Sequence, residues 1–275
     1  MTLIADNRTA KLQRLQLFCR FYAGLNDFLP ANRRQVEFSH WINEPASIKD
    51  VIESLGVPHP EVDLILVHGE SVGFDYLAQD RDRISVYPYF QQLDINALSQ
   101  VRPAPYPAAQ FVLDVHLGKL ATYLRLLGFD ALYHRDYDDQ ELAQLSSQEQ
   151  RILLTQDRGL LKRSIVTHGY IVRSADPEQQ VKEVLERFSL HDAVAPLERC
   201  PRCNGRLTTV DKATVVDQLP PLTRLHYDEF SRCQCCQQVY WKGAHYGRIQ
   251  QLISRVSQTR STTDGRPKLP LQTEP

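Results

Sequence analysis

Two cysteine pairs, Cys200-Pro-Arg-Cys203 and Cys233-Gln-Cys-Cys236, constrain this chain more than any other feature of it. Each pair leaves two residues between its outer sulfurs, the spacing at which one tight turn aims both thiolates at a single tetrahedral ion. Together they supply the four ligands of a structural Zn²⁺ site. The 29 residues between Cys203 and Cys233 exceed the span of about 15–20 in the common pattern, so the loop has to hold a strand pair or more. Two unconnected pairs of reduced core cysteines are the competing reading. A disulfide framework fits poorly, because six cysteines serve 275 residues and a chain of that size buries a core without staples. Cys235, inside the second pair, is an alternative to a neighbour as ligand. Cys233 and Cys236 keep the two-residue spacing, and the metal is assigned to Cys200, Cys203, Cys233 and Cys236. His245 is read as a surface or packing histidine.

The length predicts two or three domains. Charged residues make up 24% of the chain and the formal net charge is -1, which excludes a nucleic-acid coat or a membrane binder with a global electrostatic signature. Any nucleic-acid site must therefore be local. The first ten residues show no cationic region followed by an apolar stretch, and no run of about 18 uncharged apolar residues occurs. A soluble cytoplasmic protein without a membrane partner is expected, in keeping with thiolates kept reduced for metal.

Residues 12–92 read as one small α/β unit. Leu15, Leu17, Cys19 and Phe21 alternate with Gln16, Phe18, Arg20 and Tyr22 as in a strand, and Gln35-Val-Glu-Phe38 is a second strand candidate. Ser47 offers an N-cap with Asp50 three residues on, and Ile48, Val51, Ile52 and Leu55 share one helical face before Gly56. The run Val62–Val67, the turn His68-Gly69 and the strand Arg83–Tyr87 complete the unit. On this order, and on Leu55-Gly-Val-Pro58 and Asp82-Arg-Ile-Ser-Val-Tyr-Pro88, the segment resembles the ubiquitin-like β-grasp fold of sulfur carriers. Such carriers work through an exposed terminal Gly-Gly. Here Tyr87-Pro-Tyr-Phe-Gln-Gln continues into more chain, so binding or scaffolding of a protein partner is the expectation rather than carrier chemistry. Residues 93–108, with Pro103, Pro105 and Pro107, read as an extended linker, and residues 257–275 as a disordered tail.

Between residues 109 and 174, four short apolar runs are each accompanied by aspartate. Asp114 lies within Phe111–Val115; Asp136, Asp138 and Asp139 follow Ala131–Tyr133; Asp157 follows Arg151–Thr155; Asp176 follows Tyr170–Ser174. Leu117, Leu120, Ala121, Leu124 and Leu127 form a helical stripe ended by Gly128, and a second helix runs from Asp138 through Leu145. Strands separated by helices predict a parallel sheet whose strand ends share one edge, the edge where ligands bind. Carboxylates gathered there repel unless a cation sits among them, and Mg²⁺ or Mn²⁺ suits oxygen ligands better than zinc. Such an ion activates water and offsets charge in phosphodiester hydrolysis. Lys119, Arg125, Arg158, Lys162 and Arg163 are candidate phosphate ligands. Against function, Asp138 reads as a helix N-cap, Asp176 as a turn residue, and Lys162 and Arg163 as solvated. Asp114, interrupting an apolar strand, and Asp157, after a buried strand, point more strongly to function.

Phe111–Asp130, Asp139-Gln-Glu-Leu142, Arg151–Leu161, the double C-x-x-C and Val239-Tyr-Trp-Lys-Gly-Ala-His245 resemble the Mut-seven C-terminal RNase family. The resemblance implies a PIN-like nuclease domain over 109–190, a zinc ribbon over 191–256, a ubiquitin-like domain in front, and RNA cleavage at an acidic divalent-metal site. It matches Asp114 to the first-strand acid, Asp139 to the acid opening the middle helix, and Asp157 to the acid after the Leu-Leu-Thr strand. Glu141 is a second candidate for the middle position, and Asp176 a fourth acid. Lys119, Arg125 and Arg158 are the substrate-binding candidates. The chain departs from the pattern in its crowded Cys-Gln-Cys-Cys knuckle and in Gln156, where a basic residue is more usual. Two competing readings are a non-catalytic RNA-binding or scaffold protein and, on the front segment alone, a sulfur-transfer adaptor.

Overall fold

The structure, a computed structural model, describes residues 14–89, 95, 98–101 and 109–257. The expected tail beyond Ser257, residues 12 and 13, and most of the expected linker lie outside the described residues. The chain divides into two compact units, one from residues 1–107 with 138–171 and the other from residues 108–137 with 172–275.

The front segment contains β1 (Leu15–Phe21), β2 (Phe38–Ile42), α1 (Ile48–Ser54), β3 (Leu64–Val67), β4 (Glu70–Ser71) and β5 (Arg83–Tyr87). They form a five-stranded sheet in the order β2-β1-β5-β3-β4. Its central pair, β1 and β5, is parallel, with Cys19 opposite Ile84, and β2 and β3 flank it antiparallel. Alternate residues Leu17, Cys19 and Phe21 of β1 are buried, as are Ile48 and Ile52 of α1. Burial pushes the Cys19 thiol up to about 12, so it stays protonated. Ser47 caps α1 as its sequence predicts, its Oγ accepting from Asp50 N at 3.1 Å. His68 (φ 52°) and Gly69 (φ 94°) both take the left-handed region, the pairing a tight hairpin turn between β3 and β4 requires.

The strand expected at Gln35–Phe38 begins only at Phe38. Gln35 is held at φ 57° and donates its N–H to the Oδ1 of buried Asn26 at 2.6 Å, so the chain cannot extend until it has passed that anchor.

From residue 110 strands and helices alternate: β6 (Gln110–Leu113), α2 (Gly118–Leu126), β7 (Asp130–Leu132), α3 (Asp139–Gln148), β8 (Ile152–Thr155), α4 (Arg158–Leu161), β9 (Gly169–Ile171) and α5 (Pro177–Arg187). In the first unit β8 pairs in parallel with β9, Leu154 opposite Tyr170. In the second, β6 pairs in parallel with β7, Phe111 opposite Ala131. Parallel strands with intervening helices are the α/β arrangement the sequence predicts. Ile152, Leu153 and Leu154 are buried in succession, as a strand covered on both faces demands. The α2 stripe of Leu117, Leu120, Ala121 and Leu124 is likewise buried. Gly128 (φ 98°) ends that helix, and a Cβ there would come within 2.1 Å of Ala195 O, so only glycine fits.

The cysteine-bearing segment contributes β10 (Leu207–Val210), α6 (Pro221–His226), β11 (Phe230–Cys233), β12 (Val239–Trp241) and α7 (Ala244–Ser257). Its three strands pair antiparallel in the order β10-β11-β12. The long loop between the cysteine pairs thus holds the strand pair its length requires, together with α6. Val215, Leu219, Phe230 and Val239 form a small core beneath it.

Candidate functional site

Each cysteine pair closes as a tight turn. In the first, Asn204 N donates to Cys200 O at 2.9 Å; in the second, Gln237 N donates to Cys233 O at 3.1 Å. Asn204 (φ 67°) and Gln237 (φ 61°) both take the left-handed region that turns the chain back. The Sγ atoms of Cys200, Cys203, Cys233 and Cys236 all lie within 4.8 Å of one another. Two of the separations are 3.7 Å, Cys200 to Cys236, and 3.4 Å, Cys203 to Cys233. A tetrahedron with Zn–S of about 2.3 Å has sulfur–sulfur edges of about 3.8 Å, so one zinc ion fits with little rearrangement. Cys235 is exposed and lies outside the group of four.

The first knuckle is docked on α2 and β7 within the same unit. Arg125 is buried at 5% exposure and donates from Nε to Ala131 O at 2.8 Å and from Nη1 to Pro201 O and Arg202 O, both at 3.3 Å. Burial lowers its pKa, and the Cys203 and Cys200 sulfurs and Asp130 oppose that shift. Asn204 accepts from Ala131 N at 3.0 Å and donates to Asp130 Oδ1 at 2.7 Å, while Arg199 Nη2 holds Asp130 Oδ2 at 2.9 Å. Tyr240 Oη lies 3.0 Å from Cys200 Sγ. Sequence reasoning missed Arg199, Asn204, Asp130 and Tyr240. The turn dipeptide Asn204-Gly205 is a local signal for one of them, and Asp130 and Tyr240 fall inside segments quoted for the family resemblance.

Asp114 follows β6 and is 5% exposed; its Oδ1 accepts from His116 N at 2.7 Å and so caps the turn Val115–Leu117. Lys119 is exposed at the start of α2. In the other unit Asp157 follows β8 and is exposed; its Oδ1 accepts from Gly159 N at 2.6 Å and its N donates to Thr155 Oγ1 at 2.9 Å. Asp139 opens α3 with Arg163 Nη2 at 3.7 Å from its Oδ2. Glu141 closes a capping box with Asp138, accepting from Asp138 N at 3.1 Å while Asp138 Oδ1 accepts from Glu141 N at 2.8 Å. Asp138 is thus the N-cap its sequence suggests. Asp176 caps α5 through Glu178 N and Gln179 N, at 3.1 and 3.0 Å. Arg158 lies with its guanidinium carbon 4.9 Å from the Phe28 ring centroid and donates to Phe28 O at 3.3 Å. Lys162 Nζ donates to Glu53 O at 2.6 Å. The candidate acids are divided between the two units, Asp114 and Asp176 in one and Asp139, Glu141 and Asp157 in the other.

No helix among the described residues is long and apolar enough to cross a membrane. No curated protein and no solved structure matches the chain. A family model described as Mut7-C ubiquitin matches residues 15–94, the segment of the five-stranded sheet. A second, described as the Mut7-C RNAse domain, matches residues 109–253, which takes in every candidate acid and all four clustered cysteines. With more than half of its length inside that match, the chain belongs to the Mut7-C RNAse domain family.

Proposed function

We propose that this protein is a metal-dependent ribonuclease in which Asp114, Asp139 and Asp157 hold Mg²⁺ or Mn²⁺, with a structural zinc ion on Cys200, Cys203, Cys233 and Cys236. The observation that carries the reading is the membership of a family described by its RNase domain, together with acids directly after β6 and β8. Both acids accept a turn hydrogen bond from a backbone N–H two residues on, which fixes the orientation of the carboxylate. Oxygen donors of this kind suit a hard divalent cation. When bound, the ion supplies a Lewis acid for the attacking water and compensates charge on the leaving oxygen. Asp139 is the middle acid, with Glu141, one of whose oxygens accepts the capping-box hydrogen bond, as the second candidate. Lys119, exposed on α2, is the cation that meets substrate phosphate. Arg125 and Arg158, with backbone carbonyls as partners, act through the fold. A reducing, cytoplasmic setting suits the thiolate site.

The test is cleavage of generic RNA during a Mg²⁺ or Mn²⁺ titration, repeated with Asp157→Asn and Asp114→Asn. Activity that appears with metal and disappears in both variants supports the reading. RNA that is bound and left intact at every metal concentration replaces it with a non-catalytic RNA-binding protein.

A further inference from the structure

We propose that the ubiquitin-like segment is a positioning element of the nuclease segment: Phe28, Glu53, His59 and Glu61 brace the stretch that carries Asp157. The inference rests on the reading of Asp157 as a metal-holding acid. It concerns what keeps that acid in place.

The local support of Asp157 is confined to its turn hydrogen bonds with Gly159 N and Thr155 Oγ1. Asp157 is exposed, and the helix it caps, α4, runs only from Arg158 to Leu161, too short to persist without tertiary contacts. The contacts come from the front segment of the same unit. The residue next to Asp157, Arg158, stacks on Phe28 at 4.9 Å and donates to Phe28 O at 3.3 Å. At the other end of α4, Lys162 Nζ donates at 2.6 Å to Glu53 O, a carbonyl in the last turn of α1 where a cation is favoured. Four residues on, Val166 O lies 2.7 Å from His59 Nε2, whose Nδ1 lies 2.6 Å from Glu53 Oε1. At the end of β9, Ile171 N donates to Oε1 of Glu61 at 2.7 Å. His59 and Glu61 are 6% and 3% exposed, so both polar contacts are made away from water, where losing a partner leaves a buried group unsatisfied.

These anchors are distributed along the chain that leaves Asp157. They begin at the residue after Asp157 and recur at 162, 166 and 171, so the chain leaving the acid is fixed along its whole return to β9. Two of them consume cations, Arg158 and Lys162, that would otherwise be free for phosphate. A module that only recruited a partner would have no need to hold the turn beside an acid. Phe28, Glu53, His59 and Glu61 are therefore positioning residues, and none of them is a catalytic residue.

The test uses the full-length, zinc-loaded protein and compares Phe28→Ala with Phe28→Tyr, which keeps the ring. Hydrogen exchange of the amides of 157–163, read without RNA or added Mn²⁺, reports the brace directly. Phe28→Ala is expected to speed exchange there about tenfold, with β10–β12 unchanged, and Phe28→Tyr to restore protection. On generic RNA, Phe28→Ala is expected to lower kcat by roughly 10- to 100-fold, with KM little changed and the half-saturating Mn²⁺ raised. Lys162→Met, which removes one hydrogen bond at the rim of the contact, is expected to do the same to a smaller degree and guards against a Phe28→Ala chain that does not fold. Unchanged exchange at 157–163 in Phe28→Ala and Lys162→Met overturns the brace whether or not the protein cleaves RNA. A raised KM at unchanged kcat overturns it in favour of RNA contact by the front segment. An inactive unmutated protein sinks the nuclease reading alone, and the exchange result then decides the brace.

Discussion

Replacing Arg125 by methionine should loosen the zinc knuckle from the body that carries it. Methionine fills most of the space but donates no hydrogen bond, so Ala131 O, Pro201 O and Arg202 O lose their partner inside a site where the arginine is 5% exposed. Removing a buried donor costs about 1–3 kcal/mol per stranded acceptor, but the two bonds at 3.3 Å are long and contribute at the low end. Loss of the guanidinium also removes a positive charge beside the Cys203 and Cys200 sulfurs. An overall loss of about 3 kcal/mol follows, the lower end of what breaking a buried charged contact costs. That is roughly a hundredfold in the unfolding equilibrium. Urea unfolding of the zinc-loaded protein, followed by circular dichroism, measures the loss, and a chromogenic chelator measures zinc release from native protein. Release should be faster in Arg125→Met, while Arg125→Lys, which keeps the charge but not the planar fork, should fall between. A stability change under about 0.5 kcal/mol with unchanged zinc release would show that the arginine does not couple the knuckle to α2 and β7, because that is the range of an ordinary surface substitution.

Purified protein should hold about one zinc per chain, lost in Cys236→Ser and kept in Cys235→Ser, because only Cys236 belongs to the clustered four; metal analysis giving the opposite order refutes the ligand set. Asp157→Asn and Asp114→Asn should each lower Mn²⁺-dependent RNA cleavage by at least about 100-fold with zinc retained, whereas Asp176→Asn, at a helix N-cap where asparagine serves about as well as aspartate, should leave both cleavage and stability close to those of the unmutated protein. Gly128→Ala should destabilise by more than the about 1 kcal/mol of an ordinary glycine replacement, since its Cβ would meet Ala195 O at 2.1 Å; an unchanged thermal midpoint contradicts this. Burial lowers the pKa of His168 and, with help from Arg33, of His40, so the fold keeps both neutral while the unfolded chain takes up protons below about 6.5. Their contribution is therefore complete above that pH and is lost as pH falls from there through the lowered values; urea midpoints that stay flat or rise from pH 7.5 to 5.5 would refute it.

Local signals carried most of the fold. Ser47 and Asp138 sit where cap chemistry puts them, Gly128 ends the leucine stripe, and the His68-Gly69 turn follows from residues that tolerate positive φ. The strand β2 was legible only in part, because its start is set by Asn26 reaching across nine residues to Gln35 N, a contact with no signature in the residues around Phe38. The short helix α4 was equally hidden: four residues cannot display a helical period, and this helix owes its place to Phe28 and Glu53, far away in sequence.

The site divides along the same line. Two residues between paired cysteines is a constraint of covalent geometry, and it singles out four sulfurs that the fold does bring within 4.8 Å of one another. A charged side chain near an acid carries no such constraint, because sequence gives its charge and not its partner. Arg125, Arg158 and Lys162 are all suited by type to phosphate, yet each donates to backbone carbonyls: of the first zinc knuckle and β7, of Phe28, and of Glu53. Guanidinium and ammonium groups have donors only, and a carbonyl in a turn or at a helix end satisfies them as a phosphate oxygen would. The exposed cation at the start of α2, Lys119, is then the place to look for the salt dependence of RNA binding. If it neutralises one phosphate, Lys119→Met should reduce the slope of log affinity against log salt by about 0.7 on a single strand, and an unchanged slope would move the phosphate contact elsewhere.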